Sequence, residues 1–275
     1  MKPENANATT PRSCEWAERP KLERGNATDR KSMPEPPPAL LGAASLFLDF
    51  DGTLIEIAER PDAVTVSARL ARVMQRLLVG LQGRVAVISG RPAEQVGALL
   101  GQPIPIVGSH GLEFGGDLAR LGKGSRPPAL VEALAAMRAL ASGRPELLVE
   151  DKPFGVALHY RQCPAAEAEC CTLAEELAAR HGLQVQPGKM MIEVRAPGGD
   201  KGTAIRTLMR ETPFAQGTPV FMGDDLTDEP GFAAAADLGG AGILVGETRP
   251  SLARYRLGGV AAALAWLESG VAQNA

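Results

Sequence analysis

Asp49 and Asp51 stand one residue apart in LFLDFDGT (residues 46–53), where an apolar run stops in two carboxylates followed by Gly52 and Thr53. Such a run reads as a buried strand, and period-two alternation puts both acids on one face of its end. Asp224, Asp225 and Asp228 follow a second apolar run in GDDLTD (223–228), and Lys201 sits among Gly198, Gly199 and Gly202 at the start of a helical segment. If these groups converge, five carboxylates against one ammonium leave a formal charge of −4. Each like-charge pair at ~4 Å costs about 4 kcal/mol at an effective dielectric of 20, so such a cluster needs either protons or a cation. An all-oxygen donor set without cysteine or clustered histidine favours Mg²⁺ over zinc. We therefore expect Asp49, Asp51, Asp224, Asp225 and Asp228 to hold Mg²⁺.

A magnesium ion bound by few carboxylates completes its shell with water and phosphate oxygens. The neighbouring residues suit that anion. Thr53 and Ser89 offer hydroxyls, Gly52 and Gly90 expose backbone N–H groups, and Lys201 adds charge at a helix N-terminus, where the dipole already favours anions. Asp49 is then a candidate nucleophile that would form an aspartyl-phosphate. Asp51 could protonate the leaving oxygen and afterwards activate water.

The elements that must bring these residues together are legible as a rhythm. Residues 45–50 read as a strand. Leu70, Val73, Met74, Leu77, Leu78 and Leu81 recur at helical spacing, and RVAVIS (84–89), a helix over 93–100 and IPIVG (104–108) follow. This is a βαβαβ pattern, which implies a parallel sheet. The pattern breaks over 112–196, which we read as a polar hairpin around EFGGDLARL, a helix over 128–141, strands ELLVE and GVALHYR, a helix over 165–181, and a hairpin turning at Pro187-Gly188. It resumes with a helix over 202–210, the strand PVFMGD, a helix over 229–236, the strand AGILVG and a last helix ending near Trp266. The expected fold is α/β: a Rossmann-like parallel-sheet core (44–111 and 197–275) holding a smaller α+β insert (112–196), after a disordered N-terminal tail (1–43). In open sheets of this kind ligands bind beyond the carboxyl ends of the strands, where Asp49, Ser89, His110 and Asp224 all fall.

Composition narrows the rest. A net charge of −3 over 275 residues argues against a nucleic-acid partner, and no apolar run approaches the roughly 18 residues of a membrane span. The cysteines, Cys14, Cys163, Cys170 and Cys171, form no C-x-x-C pair and read as reduced thiols, which fits a cytoplasmic monomer acting on a small molecule.

The ordered set DFDGT, Ser89-Gly90-Arg91, Lys201 and GDDLTD resembles the haloacid-dehalogenase superfamily of phosphohydrolases, whose larger caps lie where the insert lies here. The resemblance implies that Asp49 is the phosphorylated nucleophile and Asp51 the acid/base, with Ser89 and Lys201 on the phosphoryl group and the later aspartates on Mg²⁺. GSHGLE (108–113), EDKPFGVALHYR (150–161) and MIEVRAPGGDKGTAI (191–205) are more narrowly similar to the trehalose-6-phosphate phosphatase family. That similarity implies hydrolysis of trehalose 6-phosphate to trehalose and inorganic phosphate. Glu150, Lys152 and Glu193 would then hold the sugar hydroxyls, with His110 and Arg161 nearby; Thr53 and Arg91, beside the two acidic and Ser-Gly turns, are further candidates for substrate contact. In one departure, Ala196 separates Arg195 from Pro197, where the family often has proline directly after the basic residue. His159, in an apolar strand, reads as a packed, hydrogen-bonded ring rather than a ligand. The rival expectations are a phosphatase of sucrose, mannosyl or hexose phosphates and a non-catalytic sugar-phosphate sensor.

Overall fold

The apolar run ahead of Asp49 forms β1 (Ala44–Leu48), all five residues of which are buried. The remaining strands in chain order are β2 (Val85–Ile88), β3 (Ile106–Gly108), β4 (Glu113–Phe114), β5 (Leu148–Lys152), β6 (Gly155–His159), β7 (Gln184–Gly188), β8 (Met191–Arg195), β9 (Thr218–Gly223), β10 (Ala241–Val245) and β11 (Tyr255–Leu257). The helices are α1 (Ala68–Gly80), α2 (Ala93–Leu100), α3 (Ala129–Ala141), α4 (Glu167–His181), α5 (Lys201–Leu208), α6 (Glu229–Asp237) and α7 (Val260–Ala272). They come from a computed structural model that describes residues 33–57, 64–121 and 125–272, with 271 and 272 by backbone alone. The described residues group into two compact units, one within 33–125 and 198–272 and the other spanning 126–197.

The larger unit is built on a sheet of order β11-β10-β9-β1-β2-β3-β4, parallel except at the β4 edge. Alternation along the strands sends side chains into two cores. Leu46, Leu48, Val85 and Val87 pack with Leu70, Val73, Met74 and Leu77 of α1, Val96 of α2 and Leu267 of α7. Phe47, Ala86 and Ile88 pack on the opposite side with Ile205 and Leu208 of α5 and Phe232 of α6. Helices therefore cover both faces, which explains why the parallel strands read as continuous apolar runs. The chain runs outward from β1 in both directions, through β2 and β3 on one side and through β9 and β10 on the other. The carboxyl ends of β1, β9 and β2 thus border one crevice at a topological switch point.

In the smaller unit an antiparallel sheet of order β5-β6-β8-β7 lays Val156, Leu158, Ile192 and Val194 on α3 and α4, with Met137, Cys170, Cys171 and Leu177 in the same core. The opposite face carries Glu150 and Lys152 of β5, His159 of β6, and Glu193 and Arg195 of β8 in register.

Several expectations need correction. Glu113-Phe114 pairs antiparallel with β3 and is followed by a 3-10 turn over Gly116–Leu121 with Leu118 buried, so residues 112–121 extend the larger unit's sheet and core rather than opening the insert. Residues 34–43 are ordered rather than part of the expected tail: Pro38–Leu41 forms a 3-10 turn with Leu41 fully buried, Trp266 Nε1 donates to the carbonyl of Pro36 at 2.8 Å, and Arg256 N donates to Pro34 O. Residues 1–32 lie outside the described residues. The insert's last hairpin turns at Lys189-Met190, with Met190 at φ 63°, because Gly188 pairs with Met191. Pro187 is tolerated inside β7 because β7 is an edge strand, where a missing N–H can face away from the ladder. β11, three residues long, carried no sequence signal, and α7 runs past Trp266 to Ala272. No helix among the described residues is long and apolar enough to cross a membrane.

Candidate active site

Lys201 is the first residue of α5, whose start is fixed by the Asp200 carboxylate accepting from Thr203 N at 2.6 Å. Its Nζ donates to Asp49 Oδ1 at 2.7 Å and to Asp228 Oδ1 at 2.6 Å, and it is only 3% exposed. Asp228 is fully buried, and its Oδ2 accepts from the backbone N–H groups of Asp224 (2.7 Å) and Asp225 (2.9 Å). Asp49, Asp224 and Asp228 each place a carboxylate oxygen within 4.8 Å of the others. The approach of Asp224 depends on Gly52. At φ 81°, a Cβ there would lie 2.3 Å from Asp224 Oδ2.

Burial dominates the electrostatics of this cluster. It raises the Asp49 carboxyl well above the ordinary carboxylate range, opposed by Lys201 and reinforced by Asp228 and Asp224. It lifts Asp228 to about 6 against the pull of Lys201. For Lys201 burial works against the charge, but the attraction of Asp228 and Asp49 outweighs it and holds the ammonium above its usual value. With all four groups charged, three carboxylates and one ammonium sum to a formal −2. A buried, oxygen-only cluster of that charge fits one hard dication.

Two expected members of the cluster stand apart from it. Asp51 makes a bidentate ion pair with Arg91, Oδ2 to Nε at 2.6 Å and Oδ1 to Nη2 at 2.7 Å. β1 ends at Leu48 and the chain turns through Gly52, so the strand alternation that would align Asp51 with Asp49 does not reach it. Arg91, expected on the substrate, therefore reaches the site through Asp51. Asp225 caps the 3-10 turn Leu226–Asp228, its Oδ1 accepting from Thr227 N at 2.7 Å and Thr227 Oγ1 at 2.6 Å, and so presents its carboxylate to its own turn.

The anion-side residues have mixed placements. Thr53 is fully buried and its Oγ1 has no hydrogen-bond partner among the described residues, as a hydroxyl reserved for a ligand would be. Ser89 Oγ accepts from Arg91 N at 3.1 Å, which orders the Ser-Gly-Arg turn. His110 N donates to Ser89 O and Ser109 N to Arg91 O, so the loops leaving β2 and β3 interlock. Ser109 and His110 both hold left-handed backbone, at φ 50° and 54°, a strained pair of the kind that clusters at functional sites. Gly90 makes this possible, since a Cβ there would lie 2.6 Å from the His110 ring. Glu113, quoted in the GSHGLE segment but given no role from sequence, accepts from Ala93 N at 3.1 Å and Ser109 Oγ at 3.2 Å and ties β4 to both loops. Its only sequence signal was a lone acid in a polar stretch.

In the smaller unit, Lys152 Nζ donates to Glu193 Oε2 at 2.6 Å with both side chains buried, and Glu150 Oε2 lies 2.9 Å from His159 Nε2. A Cβ on Gly155 would strike the Glu193 carboxylate, so that glycine makes room for the pair. His159 thus sits in the polar row as the hydrogen-bonded ring expected of it, with Glu150 as its partner. Arg161 donates to Lys189 O at 3.0 Å beyond the end of β6.

The likeness to known proteins agrees with this architecture. A family profile described as trehalose-phosphatase matches residues 47–261. The chain is 37% identical over 235 residues to the trehalose-6-phosphate phosphatase of Escherichia coli K12, covering 84% of this chain and 88% of that protein. It is 35% identical over 210 residues to a probable trehalose-phosphate phosphatase of Sinorhizobium fredii, covering 75% and 79%. Among solved structures, a trehalose-6-phosphate phosphatase related protein superposes with a TM-score of 0.67 at 26% identity, over 81% of this chain and 95% of that one. The C-terminal domain of the Candida albicans trehalose-6-phosphate phosphatase gives a TM-score of 0.74 at 21% identity, over 87% and 98%, a likeness of fold. The chain therefore belongs to the trehalose-phosphatase family, phosphomonoester hydrolases built on the haloacid-dehalogenase fold.

Proposed function

We propose that this protein hydrolyses trehalose 6-phosphate to trehalose and inorganic phosphate with Mg²⁺ bound among the buried aspartates. The observation that carries the reading is the Asp49–Lys201–Asp228 chain of hydrogen bonds with Asp224 alongside, a −2 cluster, together with the buried, partnerless hydroxyl of Thr53 directly after Gly52 in the chain. Asp49 and Asp224 would hold the cation. Asp228, whose oxygens already accept from Lys201 and from two backbone N–H groups, would stand behind them. Bound Mg²⁺ would supply Lewis-acid stabilisation of charge on the phosphoryl oxygens.

The chain's own groups would do the rest. Lys201 and the Thr53 hydroxyl would orient the phosphoryl group. Asp49 would attack phosphorus as its ester P–O bond breaks, and the sugar oxygen would take its proton from Asp51. Asp51 would then take a proton from water as that water attacks the aspartyl-phosphate, releasing phosphate and restoring Asp49. Asp51 would take up a solvent proton before the first step, on a lone pair that its bonds to Arg91 leave open, and the guanidinium favours the ionised form to which it returns on donating. Glu150, Lys152 and Glu193 are assigned to the sugar hydroxyls, and the in-register polar row on the smaller unit's sheet supports that role. The small-molecule partner, the monomeric state and the cytoplasmic setting belong to the same reading. Cys163, Cys170 and Cys171, none of them in a disulfide, are consistent with that setting.

Phosphate release from trehalose 6-phosphate, sucrose phosphate, mannosyl phosphate and hexose phosphates, with Mg²⁺ and with EDTA, tests the proposal. We expect kcat/KM highest for trehalose 6-phosphate and turnover abolished by EDTA. Another substrate preferred by more than about tenfold, roughly 1.4 kcal/mol, would displace trehalose, and turnover indifferent to EDTA would displace the metal.

A further inference from the structure

The turn that carries Asp224 and Asp228 is held from outside by a residue no motif contains. β10 lies beside β9 in parallel register, so the loop leaving β10 emerges next to the loop leaving β9. Arg249 in that loop donates through Nη2 to the backbone carbonyl of Asp225 at 2.5 Å and through Nη1 to Glu229 Oε1 and to the carbonyl of Pro250. Glu229, the first residue of α6, accepts at its other oxygen from Leu252 N at 2.8 Å, which fixes the far side of the same loop. The Asp225 carbonyl also accepts from Asp228 N at 3.2 Å, so Arg249 grips the peptide around which the turn closes. The Asp224 and Asp225 N–H groups both aim at Asp228 Oδ2 from that turn. Without the grip on the Asp225 carbonyl, the bond from Asp228 N that closes the turn would loosen, and with it the placement of the Asp228 carboxylate on which those two N–H groups converge beside Asp224.

Resting on the proposed metal site, we infer that the Arg249–Glu229 pair is a positioning device that sets the affinity of the aspartate cluster for its dication. Neither side chain contacts the cluster's carboxylates in the hydrogen bonds above. Their effect runs through the Asp225 carbonyl and the start of α6. Partners that orient metal-binding groups typically change metal affinity 10–100-fold when removed.

Mn²⁺ alone is the probe, its free concentration read by electron paramagnetic resonance as the full-length protein is titrated. We expect Arg249→Gln to weaken Mn²⁺ binding by about 10–100-fold, with kcat at saturating metal and KM for the sugar phosphate changed far less. Arg249→Lys, which keeps a donor for the Asp225 carbonyl, should recover part of the loss. Should Arg249→Gln fail to fold, Glu229→Gln, which leaves the bond to Asp225 in place, should show an intermediate loss. Binding by Arg249→Gln within twofold of the unaltered protein overturns the inference. Failure of the unaltered protein to bind Mn²⁺ would instead overturn the metal site itself and remove this inference with it.

Discussion

Asp49→Asn separates the chemistry of the cluster from its stability. The substitution keeps the shape of the side chain and removes one charge. At an effective dielectric of 20, the 2.7 Å bond from Lys201 to Asp49 is an attraction of about 6 kcal/mol. Repulsion from Asp224 and Asp228, with oxygens within 4.8 Å, is at least about 3.5 kcal/mol each, or ~7 kcal/mol together. The two nearly cancel, and taking a charge out of a site that is 5% exposed also relieves a desolvation penalty. Without metal, the variant should therefore fold with a stability equal to or above that of the parent. Its kcat should fall by roughly 10⁴–10⁶-fold, the scale seen when a covalent nucleophile is removed. Phosphate release at saturating substrate and Mg²⁺, with urea melts in EDTA, measures both quantities. A variant keeping more than about 1% of kcat would exclude Asp49 as the attacking group. A metal-free loss above about 3 kcal/mol would show that the Lys201 attraction dominates and that the charge balance argued here is wrong.

Three other outcomes follow from the same geometry. Asp228 carries its proton up to about pH 6 in the folded protein, so between pH 4 and 6 the folded state binds more protons than the unfolded one. In EDTA, stability should therefore fall as pH rises through that window, by roughly 3 kcal/mol relative to an Asp228→Asn variant; a difference that stays flat or grows with pH would contradict the burial-driven shift. Gly52→Ala places a Cβ against the Asp224 carboxylate at a positive φ, and should lose roughly 1–3 kcal/mol of stability while raising the Mg²⁺ concentration needed for half-maximal rate; unchanged melting and metal requirement would refute the close approach. Lys152→Met takes the ammonium from buried Glu193, so kcat/KM for trehalose 6-phosphate should drop at least tenfold more than for a small aryl phosphate, and an equal drop on both would remove the pair from sugar recognition.

What the sequence determined by itself was whatever depends on local pattern and composition. Continuous apolar runs named β1, β2, β9 and β10, because strands covered by helices on both faces need apolar residues at every position. The three- and four-residue spacing from Leu70 named α1, and the rule for open sheets placed Asp49 and Asp224 at carboxyl ends of strands; that those two strands are neighbours came from the β1–β9 pairing. Tertiary structure decided which acids share the cluster. Asp51 and Asp225 match Asp49, Asp224 and Asp228 in residue type and stand as near in the chain, yet one is neutralised by Arg91 and the other closes its own turn. Arg249 and Glu113 were invisible for the same reason: each acts on a backbone group supplied by another strand's loop, and a lone arginine or glutamate leaves no periodic trace. Pattern reports the field each segment must be buried in, whereas the direction of a side chain past the end of a strand depends on backbone angles and on partners that arrive from far along the chain.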